Sequence, residues 1–115
     1  HFIYKDIESV KKNIKKLSLS KTKVYKCKFP NDLNPSFKKK NFKICHLDVN
    51  TYKSTKSSFE FVKNKMIKGG VIIFDDYGIY GVDGIKKFIN EIARKNKKDF
   101  SFIYNFMGQC ILIKN

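Results

Sequence analysis

The sequence predicts an α/β fold of the Rossmann-like kind, with a mostly parallel sheet, helices on both faces and an antiparallel strand at the carboxyl end. Three observations carry that expectation. Helical runs with apolar residues every three or four positions alternate with short β-branched runs. Val71-Ile72-Ile73-Phe74 is apolar without alternation, as in strands buried on both faces. The last two apolar runs, Phe100 to Tyr104 and Cys110 to Ile113, lie close enough together to form a hairpin.

Each element follows from its own pattern. Ile7, Val10, Ile14 and Leu17 recur at 3, 4, 3 spacing, an amphipathic helix whose apolar stripe needs a sheet to cover. Val24 to Phe29 reads as a short strand ended by Pro30, and Asn31 to Lys40 as a polar loop. Phe42 to Val49 is the next strand, leading through polar Asn50-Thr51 into a helix from about Ser54 to Lys68 that Gly69-Gly70 would cap. Val71 to Phe74 is a central strand that stops at Asp75-Asp76-Tyr77-Gly78. Val82, Ile85, Phe88, Ile89, Ile92 and Ala93 mark a further helix, with Gly81 and Gly84 loosening its start.

Composition sets the outer limits. A chain of 115 residues fits one small domain, and 42% hydrophobic residues with only two Pro and six Gly exclude disorder and fibrous repeats. No apolar stretch approaches the roughly 20 residues of a membrane span, and no cleavable leader pattern is seen, so a soluble, cytoplasmic protein is expected. The opening His1-Phe2-Ile3, without Met, reads as the start of a fragment. Cys27, Cys45 and Cys110 are odd in number, lack CxxC spacing and lie in apolar runs, which suits buried free thiols.

The net charge of +15 suggests a polyanion partner, yet 24 of the 25 cations are Lys and Arg94 is the single Arg. Readers of bases and phosphates lean on the forked guanidinium. A basic nucleic-acid-binding module, using Lys38-Lys39-Lys40 and the Lys11, Lys12, Lys15, Lys16 face, is therefore kept only as an alternative.

The chemistry gathers at two strand ends, where open α/β sheets place their sites. His46, Asp48 and Asn50 share one face by the period of two. Asp75 and Asp76 leave the next strand at the same edge if a right-handed crossover makes the two strands parallel neighbours. Three carboxylates converging there suit a hard divalent cation, Mg²⁺ first. The plainer reading, in which each Asp caps a helix or turn, stands equally on spacing alone. Tyr52, Tyr77 and Tyr80 lie beside the acids and either line an acceptor pocket or pack a loop edge. A receiver-like Mg²⁺-binding signalling domain also pairs adjacent Asp residues, but on its first strand rather than after another acidic strand end.

His46-Leu47-Asp48-Val49-Asn50-Thr51-Tyr52-Lys53-Ser54-Thr55, then Gly69-Gly70-Val71-Ile72-Ile73-Phe74-Asp75-Asp76-Tyr77-Gly78 and Gly84-Ile85-Lys86-Lys87, resemble the macrocin O-methyltransferase (TylF-like) family of S-adenosylmethionine-dependent enzymes. The similarity is strong from Phe42 to Asn115 and weaker before it. The resemblance implies a class I methyltransferase fold in which Asp48, Asp75 and Asp76 bind Mg²⁺. The ion would hold and acidify a hydroxyl of a small acceptor, often a sugar, for methyl transfer from S-adenosylmethionine.

Two departures bear on that expectation. The family often carries a second Asp, proposed as general base, where this chain has Asn50; His46, on the same face, is the substitute candidate or else a cofactor-wall residue. No Gly-rich strand-to-helix turn precedes Ile7, so residues 1–115 read as the carboxyl-terminal part of a methyltransferase domain lacking its first two strands. Such a piece is expected to bind cofactor poorly and to be inactive alone. The Val24 strand would then pair with the Ile44 strand or with another copy, making a homo-oligomer.

Overall fold

A computed structural model of the chain describes residues 6–115; His1 to Lys5, where the chain start was read, lie outside the described residues. Two compact units divide the chain, His1–Leu33 and Asn34–Asn115.

The first unit contains α1, Ile7–Lys16. Asp6 caps it, its carboxylate accepting from the Ser9 backbone N–H at 2.8 Å. Glu8 in the first turn and Lys15 and Lys16 in the last oppose the helix dipole. The predicted helix is thus observed, although none of its residues is buried.

The predicted strand at Val24 to Phe29 is not formed. Its apolar run has the composition of a strand, but a strand exists only through a ladder, and this unit supplies no second strand among the described residues. Backbone bonds close turns on either side instead, from Thr22 N–H to Leu19 O at 3.0 Å and from Asp32 N–H to Lys28 O at 3.1 Å. The expected pairing of this segment with the Ile44 strand is accordingly absent from the sheet.

In the second unit the sheet comprises β1 Phe42–Leu47, β2 Met66–Phe74, β3 Phe100–Tyr104 and β4 Cys110–Lys114, in the order β1-β2-β4-β3. β1 and β2 are parallel, while β4 runs antiparallel to both β2 and β3. The Rossmann-like class holds, with its parallel part reduced to one pair and the terminal hairpin folded back beside it. An antiparallel half-sheet also removes the receiver-like alternative, whose doubly wound sheet is parallel.

Helices α2, Tyr52–Val62, and α3, Asp83–Lys95, connect the strands. Thr51 starts α2 with a capping box: its hydroxyl accepts from Ser54 N–H, and the Ser54 hydroxyl accepts from Thr51 N–H. The helix ends at Val62 rather than near Lys68, and Gly69-Gly70 is no cap. β2 already begins at Met66, which pairs with Phe42, and a register shift follows before Ile44 meets Val71. Gly69 takes φ +74 in that irregularity, and at Gly70 a Cβ would stand 2.8 Å from the Ile67 carbonyl oxygen. The two glycines serve a bulge, where sequence patterning reads a helix stop.

The core lies on one face of the sheet. Ile72 and Phe74 of β2, Leu112 and Cys110 of β4 and Phe100 of β3 meet Phe59 and Val62 of α2 and Ile85, Phe88, Ile89 and Ile92 of α3. Phe59 is its hub, with ring centroids 6.1 Å from Phe74, 5.7 Å from Phe88 and 5.8 Å from Phe100. Helices on both faces were expected; within this unit α2 and α3 pack against the same one, which fixes both helix starts beside the strand ends.

Candidate acceptor site at the acidic strand ends

Leu47 and Phe74 are the last paired residues of β1 and β2, and Asp75 N–H extends the ladder by donating to Leu47 O at 3.1 Å. Asp48 and Asp75 therefore leave neighbouring parallel strands side by side. Across this edge His46 Nε2 stands 3.8 Å from Asp75 Oδ2, with the two side chains 49% and 32% exposed. A polar pair open to solvent at the carboxyl ends of parallel strands is the arrangement that can take up a ligand hydroxyl.

Asp75 is held from several sides. Its Oδ1 accepts from Asp76 N–H at 3.1 Å and from Gln109 Nε2 at 3.4 Å. Asp76 adopts φ +58, a left-handed residue in the turn that follows the strand. Asp48 and Asn50 are exposed.

The expected gathering of Asp48, Asp75 and Asp76 into one metal-binding group is not formed. Among the described residues no group of three or more His, Cys, Asp and Glu side chains could hold a metal ion. Pairing places Asp48 beside Asp75, and Asp76 follows in the left-handed conformation. Of the capping alternative, the helix part is not observed, because Thr51 caps α2 and no side chain caps α3, while Asp75 does accept from Asp76 N–H in the turn that follows β2.

The three tyrosines part company. Tyr52 OH donates to Glu91 Oε2 at 2.7 Å, and its ring stands edge-on to Phe88 at 5.6 Å. That bond, more than burial, raises its phenol above the ordinary range. Tyr77 OH donates to Asn90 Oδ1 at 2.9 Å and its ring stacks on Tyr104 at 4.9 Å. Burial raises both phenols of the stack. Both Tyr52 and Tyr77 are thus committed to α3 and the hairpin, whereas Tyr80 is fully exposed. All three cysteines are free; Cys110 is fully buried and its thiol is pushed up to about 12 by desolvation, while Cys45 is raised by the same cause.

Sequence reasoning missed the hairpin's part. Asn105 Oδ1 accepts from Met107 N–H and Gln109 N–H, and Asn105 Nδ2 donates to Gln109 Oε1 at 3.0 Å, which turns the Gln109 amide toward Asp75. The readable signal was an Asn–Gly pair bracketing a tight connection just before a Gln.

The family model described as macrocin O-methyltransferase (TylF) matches residues 3–103. The chain belongs to this family. Among solved structures it is similar to the O-methyltransferase NovP, with a TM-score of 0.79 at 20% identity over 96% of this chain. It is also similar to a Staphylococcus aureus protein assigned as a caffeoyl-CoA O-methyltransferase, with a TM-score of 0.65 at 16% identity over 95% of this chain. At these identities the likeness shows the fold, and the chain spans 45% and 59% of those two proteins. No curated protein matches its sequence. Among the described residues no helix is long and apolar enough to cross a membrane.

Proposed function

We propose that this macrocin O-methyltransferase family chain provides the acceptor side of an S-adenosylmethionine-dependent O-methyltransferase acting on a hydroxyl of a sugar or similar small molecule. The observation that carries this reading is the half-exposed His46–Asp75 pair at the carboxyl ends of β1 and β2, with none of the neighbouring acids consumed by helix capping.

S-adenosylmethionine, when bound, supplies the methyl group as a sulfonium. The 115 residues hold no Gly-rich strand-to-helix turn to cradle it, so cofactor binding and turnover by this chain alone are not part of the reading. What the chain's own residues do is hold the acceptor. His46 takes the proton of the acceptor hydroxyl, and Asp75, 3.8 Å from its Nε2, offsets the charge of the imidazolium that forms. Asn50, a neutral amide, can bond a second hydroxyl but cannot serve as a base. Asp48, Asp75 and Asp76 have the hard oxygen chemistry Mg²⁺ prefers, yet they do not form one donor group, and no step is routed through a metal.

Amide NMR on the ¹⁵N-labelled 115-residue chain tests the reading with methyl β-D-glucoside as probe. Saturable shifts at His46, Asp48, Asn50 and Asp75, lost in His46→Ala and Asp75→Asn, are expected. No shift at this edge at high millimolar glucoside refutes it. Adding Mn²⁺ to the same sample separates the metal question: broadening confined to Asp48, Asp75 and Asp76 would restore the metal site, and diffuse broadening would remove it.

A further inference from the structure

The loop that leaves β2 and the tip of the β3–β4 hairpin are joined backbone to backbone. Gly78 N–H donates to Gly108 O at 2.8 Å, and a Cβ on Gly78 would stand 3.0 Å from Gly108 Cα. Gly108 holds φ +81, so both positions need glycine, one for space and one for conformation. Below the joint Tyr77 stacks on Tyr104, and Asn105 fixes the amides of Met107 and Gln109. The two loops therefore behave as one preformed piece, attached to the acid edge through Gln109 and Asp75.

The residues flanking the joint are large, apolar and directed into water. Ile79 is 49% exposed, Tyr80 102%, Phe106 110% and Met107 80%. Ile79 Cδ1 already leans toward Gly108, so the two loops share this surface. Exposed side chains of this size on a braced turn make no contribution to the core, and apolar side chains beside a polar site are how ligand sites combine grip with orientation. Charge narrows the occupant. In a chain with 25 cations, no Lys or Arg falls between Lys68 and Lys86 or between Lys98 and Lys114, so both loops are free of positive charge while Asp75, Asp76 and Asp83 lie beside them. A phosphate-bearing ligand, a nucleic acid or an anionic lipid surface is disfavoured at such a patch.

We infer that Ile79, Tyr80, Phe106 and Met107 form a specificity platform that binds a neutral, flat apolar group, such as an aromatic ring, carried by the acceptor next to the hydroxyl held at His46 and Asp75. This rests on the acceptor reading above and adds the chemical class of the acceptor's other end.

The test compares 4-nitrophenyl β-D-glucoside with methyl β-D-glucoside on the ¹⁵N-labelled 115-residue chain. The nitrophenyl compound should bind about tenfold more tightly, the factor expected from burying roughly 55 Å² of apolar surface. It should also shift the amides of residues 78–81 and 105–109, and the paired change F106S/M107S should abolish the preference while leaving the remaining resonances in place. Equal affinity for the two glucosides with shifts at the acid edge alone would overturn the platform and leave the acceptor reading standing. Shifts at the hairpin with none at Asp48 or Asp75 would support the ring preference and count against the acceptor reading. Concentration-dependent shifts of residues 105–109 without ligand would assign the patch to self-association and overturn the inference.

Discussion

Replacing Gly84 by Ala would place a Cβ 2.7 Å from the Tyr52 backbone nitrogen and 3.3 Å from Tyr52 Cβ, where the first turn of α3 crosses the start of α2. The obstructing atom is backbone at a helix start, fixed by the Thr51–Ser54 capping box, so it cannot swing aside as a side-chain tip could. Relief requires α3 to move off α2, loosening Phe88 from both Tyr52 and Phe59. Helix propensity pulls the other way, since Ala is favoured over Gly by at most about 1 kcal/mol. Overpacking a tight contact costs about 1–3 kcal/mol. The net expectation is a loss of about 1–2 kcal/mol, which lowers Tm by roughly 4–16 °C for a domain of this size. Thermal unfolding followed by far-UV circular dichroism measures it. A Gly84→Ala chain that melts at or above the parent temperature would show that propensity wins and that the helices do not meet as closely as described.

Other expectations concern the core and its titratable groups. Phe59→Ala, at 1% exposure and in contact with three aromatic rings, should cost about 3–5 kcal/mol, seen as a large fall in the urea midpoint. Tyr77→Phe removes the 2.9 Å bond to Asn90 and should cost about 0.5–1.5 kcal/mol; no change would mean that water replaces the phenol. Only a thiolate attacks a disulfide reagent, so under native conditions near neutral pH Cys110 should remain unlabelled after Cys27 and Cys45 have reacted, and should react only on unfolding. Burial raises Cys110 from 9.0 to about 12, so the neutral buried thiol contributes its full stability below about pH 9 and loses it as pH rises toward 12. The urea midpoint should fall across that window, and less steeply in Cys110→Ala.

Much of the second unit was legible because its signals are local. The β-branched run Val71 to Phe74, the periodic residues from Ile85 to Ile92 and the closely spaced final strands each specify an element without knowledge of its neighbours. Val24 to Phe29 failed for the opposite reason: its residues favour an extended chain, but pairing depends on a partner elsewhere. Gly69-Gly70 failed because a bulge and a helix stop demand the same residue, and only the register of β1 against β2 distinguishes them.

At the site the sequence alone determined which chemistry is available, two acid-bearing strand ends, a His and an Asn on one face, and the string that marks the family. Tertiary structure decided which of these groups meet. Parallel pairing brings His46 to Asp75, Asp76 follows in a left-handed turn, and hydrogen bonds tie the Tyr52 and Tyr77 phenols to α3. The hairpin, drawn back beside β2, adds Gln109 and the Phe106–Met107 tip. Residue type fixes what a side chain can do, but distance fixes what it does, and distances between strand ends far apart in sequence are set by sheet register and loop geometry that no local pattern encodes.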